Sequence, residues 1–136
     1  MIVFFDASAL IYLIEGNEPF AGKVRKELAA TAARHPDAGS AVSRLTWLEC
    51  RVRPMKVNDR TLLAQFDAFF ARPDVIWIEL TRQVVELAAT IRARHGLRTP
   101  DALQAASCLQ LPTEHLFLTG DAGFRRVAGL RVKVLA

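Results

Sequence analysis

Four acidic residues, Asp6, Glu49, Asp101 and Asp121, stand along the 136-residue chain in settings from which they could converge. Four ionised carboxylates in one crevice repel strongly. At about 4 Å and an effective dielectric near ~20, each like-charged pair costs roughly 4 kcal/mol. Such a cluster persists if some acids are protonated or if a cation sits among them. Oxygen-only ligands favour a hard cation, Mg²⁺ or Mn²⁺. A metal held this way polarises a phosphoryl oxygen, generates a nucleophilic hydroxide and stabilises a leaving oxygen, which are the requirements for hydrolysing a phosphodiester.

Each acid taken singly also has a structural explanation. Asp6 and Asp121 can cap the helices that follow them. Asp101 can complement a helix dipole, worth about 0.3–1 kcal/mol. Glu49 can pair with Arg53 one helical turn later, worth about 0.2–0.5 kcal/mol. Two local settings speak for more than capping. Glu49 stands among Trp47, Leu48 and Cys50, a poor setting for a fully solvated side chain, and Asp101 opens the small-residue helix Ala102-Leu103-Gln104-Ala105-Ala106.

The elements that must position these acids follow from the apolar pattern. Ile2 to Phe5 is a short apolar run ending at Asp6 and reads as a buried strand. Ser8 to Glu15 is helical and closes at Gly16, and Phe20 to His35 forms a second helix. Ala38 to Ser43 supplies a turn and a short strand. Leu45, Leu48 and Val52 then recur at helical spacing, which puts Glu49 on a helix. Asn58 can cap a helix running to Ala71, whose stripe of Leu62, Phe66, Phe69 and Phe70 fits a hydrophobic core or an interface.

Val75 to Leu80 is a further strand, and Thr81 caps a helix that ends near Gly96. Thr99-Pro100-Asp101 opens the next helix, with Thr99 as its cap. His115 to Thr119 is a strand, Asp121 to Val127 a short helix, and Arg131 to Leu135 a last strand. This alternation predicts a single α/β domain over residues 1–136, with a mainly parallel central sheet flanked by helices. Ligands of such sheets bind beyond the carboxyl ends of strands, where strand order reverses. Asp6 and Asp121 each follow a strand; if those strands are neighbours, both carboxylates enter one crevice.

Composition narrows the function classes. A hydrophobic fraction of 51% with 24% charged residues argues against disorder. No apolar run is long enough to cross a membrane, and Asp6 interrupts the only stretch that resembles a secretory core, so a cytoplasmic protein is expected. Cys50 and Cys108 are far apart and in no CxxC spacing, and read as buried thiols. With His35, His95 and His115 they form no zinc set. The formal charge of +4 suits a polyanionic partner, but an ordinary arginine-rich domain carries as much.

The motifs IVFFDASALIYL, SRLTWLEC, TPDALQAA and LFLTGDAGFRRV, in that order, resemble the PIN-domain ribonucleases. In size and layout the chain is most similar to the VapC toxins of toxin–antitoxin modules. The resemblance covers nearly the whole chain, and the ordered combination is far more specific than any one motif. It implies a Rossmann-like PIN fold, a divalent metal (Mg²⁺ or Mn²⁺) and endoribonuclease activity on RNA. It makes Asp6 and Asp101 the direct metal ligands, Glu49 a ligand through water or the group that orients the attacking water, and Asp121 a participant in a second metal site.

By the same resemblance Ser8 and Thr119 help to order the site, although both could simply be backbone-capping hydroxyls. Arg44, Arg51 and Arg98, nearest the acidic motifs, could hold RNA phosphates or merely be solvated charge. The resemblance further implies a homodimer and a VapB-type antitoxin whose C-terminal segment blocks the active-site groove. One departure is Gly120, where many relatives carry asparagine.

Rival readings fare less well. A Walker A loop fails, because five residues separate Gly16 from Gly22 and Val24 replaces the required Ser or Thr. No GxGxxG follows the first strand, and Ser8 stands where an aspartyl phosphatase has its second acid. A receiver-like phosphoacceptor leaves Glu49 and Thr99-Pro100-Asp101 unexplained. From another class, a PIN-like domain that binds RNA or protein without cutting remains an alternative.

Overall fold

The computed structural model describes residues 1–136. Five strands, β1 (Ile2–Phe5), β2 (Gly39–Ser43), β3 (Val75–Ile78), β4 (His115–Thr119) and β5 (Val132–Val134), form one sheet in the order β3-β2-β1-β4-β5. Every neighbouring pair is parallel. Six α-helices flank it: α1 (Ala7–Glu15), α2 (Phe20–Arg34), α3 (Arg44–Lys56), α4 (Arg60–Phe70), α5 (Arg82–His95) and α6 (Thr99–Cys108). A short 3₁₀ helix, Ala122–Arg126, separates β4 from β5. No helix is long and apolar enough to cross a membrane.

Strand pleating sends alternate residues of β1 into two separate cores. Ile2 and Phe4 join Phe117, Ala88, Ile91, Ala102 and Ala105 beneath α5 and α6. Val3 and Phe5 join Leu118, Leu10, Val24, Phe66 and Phe69 beneath α1, α2 and α4. Both faces of β1 are therefore covered, which is why its sequence is a continuous apolar run rather than an alternating one. Each large side chain buried this way contributes roughly 1.5–3 kcal/mol. Phe66, Phe69 and Phe70 are all buried, so the α4 stripe is core.

The chain begins at β1, moves outward through β2 and β3, then returns to place β4 on the other side of β1. The switch point lies between β1 and β4, which pair from Ile2 with His115 to Phe5 with Leu118. The crevice at their carboxyl ends is the binding position that this topology creates.

Several local expectations are corrected. Asp59, not Asn58, caps α4, its Oδ1 accepting from Leu62 N at 3.0 Å. Asn58 instead takes a left-handed turn with φ of 55°. Asn tolerates that conformation, and Asp59 is then the residue in reach of the free amides. The residue at the cap of α6 is Arg98, which makes no side-chain cap bond, and Thr99 accepts from Arg92 Nη1 at 3.1 Å. Strands β3 and β5 are shorter than the expected Val75 to Leu80 and Arg131 to Leu135, because Glu79, Leu80, Arg131 and Leu135 lie outside the residues paired in register. Cys50 and Cys108 are free and lie in opposite cores, with the sheet between them.

Candidate active site

Asp6 ends β1 and begins α1. One carboxylate oxygen accepts from Ala7 N at 2.9 Å, so the residue does cap its helix. The other oxygen accepts from Thr119 Oγ1 at 2.7 Å and from Ser8 Oγ at 3.0 Å. Ser8 Oγ in turn accepts from Gly120 N at 2.9 Å, and Thr119 Oγ1 accepts from Asp121 N at 3.1 Å. The two hydroxyls thus tie the end of β1 to the turn after β4. Ser8 and Thr119 are ordering groups around Asp6.

Asp121 follows that turn. Its Oδ1 accepts from Gly123 N at 2.8 Å, capping the 3₁₀ helix. Asp101 lies in the first turn of α6, with Arg98 Nε 3.6 Å from its Oδ2. Glu49 lies on α3, where Gln104 Nε2 donates to its Oε1 at 2.9 Å. The same Gln104 nitrogen donates to Thr46 Oγ1 at 2.8 Å, and Thr46 reaches the Phe5 carbonyl at the end of β1. Arg53 does not pair with Glu49; it lies 3.8 Å from Glu15. Nor are the flanking side chains of Glu49 as buried as their types suggest, since Trp47 and Leu48 face solvent.

All four acids line one open crevice of about 420 Å³, together with Ser8, Ile11, Tyr12, Arg98, Gly120 and Phe124. Burial, then the Glu49 carboxylate, push Asp6 up to about 6, against the pull of its hydrogen bonds from Thr119, Ser8 and Ala7. Burial also raises Glu49, helped by Asp101 and opposed by Gln104 and Arg98. Burial raises Asp101, with Asp121 adding to the rise and Arg98 opposing it. The acids therefore act on one another in a relay from Asp6 to Glu49, Asp101 and Asp121.

This donor set suits a hard cation. It offers carboxylate oxygens only, three of them held above their ordinary range by burial and mutual repulsion, and a bound cation relieves both costs. As they stand, no three His, Cys, Asp or Glu side chains are gathered tightly enough to hold an ion.

Of the three candidate arginines only Arg98 lines the crevice. Arg44 forms a two-pronged pair with Glu79, at 2.9 and 2.7 Å, and its guanidinium lies 4.0 Å from the centre of the Trp77 ring. Arg51 pairs with Asp67 on α4 and lies over Trp47. Both stand outside the crevice although they lie near Glu49 in sequence, because successive residues of a helix point in different directions.

Two contributors escaped the sequence reading. Gln104 is a polar side chain inside an otherwise small and apolar helix, three residues after Asp101 and so on the same face. That spacing was the available signal. Its Oε1 is buried without a donor, and its amide can turn only one way, since a carbonyl facing the Glu49 carboxylate would repel it. Tyr12 is the second. Its hydroxyl approaches Gly120 so closely that an added Cβ there would lie 2.5 Å from it. A side chain at position 120 would therefore have to displace the Tyr12 ring.

The PIN domain family matches residues 3–130, and the chain belongs to that family. The fold is similar to that of VapBC2 from Rickettsia felis bound to a promoter DNA fragment, with a TM-score of 0.78, 15% identity and 100% of each chain covered. It is similar to DNA-bound VapBC from Salmonella typhimurium, with a TM-score of 0.74, 17% identity and coverage of 100% and 99%. It is also similar to a toxin–antitoxin complex from Klebsiella pneumoniae, with a TM-score of 0.69, 21% identity and 98% of each chain covered. No curated protein sequence matches the chain.

Proposed function

We propose that this chain is the toxin of a VapBC-type pair and an endoribonuclease that hydrolyses RNA phosphodiester bonds with Mg²⁺ or Mn²⁺, acting in the cytoplasm. The observation that carries the reading is the placement of Asp6, Glu49, Asp101 and Asp121 around one crevice at the β1–β4 switch point of a PIN-family fold.

Asp6 and Asp101 are the direct ligands, both of them lining the crevice. When bound, the cation would polarise the scissile phosphate and lower the pKa of a water. Glu49, aimed by Gln104, orients that attacking water or takes its proton. Asp121 supports a second cation position or the leaving group. Ser8 and Thr119 fix the Asp6 carboxylate, and Arg98 neutralises charge at the rim.

The partner in this reading is a VapB-type antitoxin that covers the crevice, with a second copy of the chain forming a homodimer. Support for protein partners comes from α3, which exposes Trp47, Leu48, Val52 and Met55 along one side. A connected apolar patch of this kind marks an interaction surface.

The test is cleavage of total cellular RNA by metal-stripped protein, before and after Mg²⁺ or Mn²⁺ is restored. Cleavage should appear only with metal and vanish in Asp6→Asn and Asp101→Asn while both variants remain folded. Full cleavage by either folded variant overturns the mechanism. Expression of the chain should arrest growth and co-expression of the antitoxin should relieve it; unchanged growth with folded protein present counts against the toxin role.

A further inference from the structure

We propose that the groove between α2 and β5 is a phosphate-binding track for the single-stranded RNA that flanks the cleavage site. The proposal rests on the nuclease reading for the identity of the polyanion, and on a separate part of the molecule for its geometry. Two clefts lie along this side of the sheet, of about 280 Å³ and 230 Å³, and they meet at Glu27 and Lys133, whose ion pair at 3.3 Å would have to open to a passing phosphate. Helix α2 runs from Phe20 down to Arg34, and β5 runs alongside it from Val132 to Val134. Lys23, Lys26 and Arg34 from the helix, Lys133 from the strand and Arg131 from the connection just before it line the groove, against the single carboxylate side chain of Glu27.

Three features distinguish this groove from scattered surface charge. First, the lone acid is already matched: Glu27 pairs with Lys133 at 3.3 Å. Lys26, Arg34 and Arg131 have no carboxylate side chain within ion-pair distance, whereas Arg25, Arg44, Arg51, Arg72 and Arg82 are each held by one. Lys23 is already engaged, donating to the Ala136 main-chain oxygen, which also lines the groove.

Second, the groove is of useful length. Lys23 and Arg34 are eleven residues apart on one helix, or about 16 Å at 1.5 Å per residue, a span of about five stacked nucleotides at 3.4 Å each.

Third, a chain of side-chain contacts joins it to the crevice. Lys23 lies 5.9 Å from the centre of the Phe20 ring, Phe20 stacks on Tyr12 at 4.6 Å, and Tyr12 lines the crevice beside Gly120. A strand leaving the acidic crevice over Tyr12 and Phe20 enters the basic groove at Lys23. Basic channels bordered by aromatic rings are how proteins hold single strands without reading sequence. The crevice itself repels phosphates through its four acids, so a cationic surface next to it supplies the attraction that the reacting centre lacks.

The test is binding of a fluorescein-labelled, random-sequence oligoribonucleotide of about 20 nucleotides to metal-free protein, between about 50 and 200 mM salt. The triple variant Lys26→Gln, Arg34→Gln, Arg131→Gln should bind at least about tenfold more weakly. Its slope of log K against log salt should be shallower by about 2, at roughly 0.7 for each phosphate left without a cation. The control variant Lys56→Gln, Arg60→Gln, Arg94→Gln removes the same charge from α3, α4 and α5. An unchanged slope in the groove variant, or an equal loss in the control, overturns the track. The readout needs no cleavage, so failure to cut RNA with groove binding intact counts against the nuclease reading and not against the track.

Discussion

Thr119 Oγ1 donates to Asp6 Oδ2 at 2.7 Å, joining the ends of two neighbouring parallel strands across 113 positions of sequence. This bond is the main force that opposes burial in setting the acidity of Asp6. Thr119→Val keeps the shape and removes the donor. Asp6 should then ionise less readily than it does now, at about 6. The acid limb of the pH–rate profile for RNA cleavage should move to higher pH. A hydrogen bond to a charged group is worth roughly 1–3 kcal/mol, or about 1–2 pKa units, so at pH 7 the ionised fraction and with it the rate should fall roughly two- to tenfold. A profile that keeps its position while the rate falls would assign Thr119 a merely structural role.

The same carboxyl makes metal-free stability depend on pH. Its folded value of about 6 lies above its ordinary 3.8, so between these values the folded protein holds a proton that the unfolded chain has lost. Folding stability from this group is therefore favoured at low pH and is lost as pH rises from about 4 through about 6, by roughly 3 kcal/mol in all. Asp6→Asn cannot ionise. In chelator, it should melt above the wild type at pH 8, and the gap should shrink at pH 5. Added Mg²⁺ should raise the wild-type melting temperature at pH 8 and leave the variant's unchanged. A melting difference that does not vary with pH would contradict the buried-acid account.

How much of this was legible follows from what each feature depends on. Strand β1 was readable because a residue buried on both faces leaves an uninterrupted apolar run, and Asp6 marks where that run ends. The helix caps at Gly16 and Gly96 were readable because both adopt left-handed backbone, at φ 70° and 68°, which favours glycine. The adjacency of β1 and β4 was not readable, since it depends on where the chain reverses in space; the meeting of Asp6 with Thr119 follows from it. The ion pairs of Arg44 and Arg51 were not readable for a related reason: their partners Glu79 and Asp67 are distant in sequence. Gln104 carried a signal in its i+3 spacing from Asp101, but its partner Glu49 belongs to another helix.

Gln104 provides a third test. It is buried, its amide nitrogen bridges Glu49 and Thr46, and it touches no part of the crevice opening. Gln104→Leu should leave Glu49 free to rotate, lowering cleavage or metal affinity by about 10–100-fold, as loss of a supporting hydrogen bond does elsewhere. Gln104→Glu should be worse, because it sets a second carboxylate against Glu49 in a buried setting. Metal titration by calorimetry together with cleavage rates would separate the two effects. Equal activity in wild type and Gln104→Leu would show that Glu49 needs no such support.

Tyr12 and Gly120 make the final prediction. A Cβ at position 120 would lie 2.5 Å from the Tyr12 hydroxyl and 3.0 Å from its Cε2, while the ring is held by stacking on Phe20 at 4.6 Å. Gly120→Asn therefore has to displace the Tyr12 ring, at a cost of about 1–3 kcal/mol typical of overpacking. Removing the ring removes the obstacle. In a Tyr12→Ala background, the asparagine should cost less by at least about 1 kcal/mol, a coupling measurable as a double-mutant cycle in urea unfolding. The steric account predicts rescue in stability, and cleavage should recover with it only where the Tyr12 ring is dispensable for RNA. Strict additivity of the two substitutions would mean that the turn after β4 accepts a side chain without moving Tyr12.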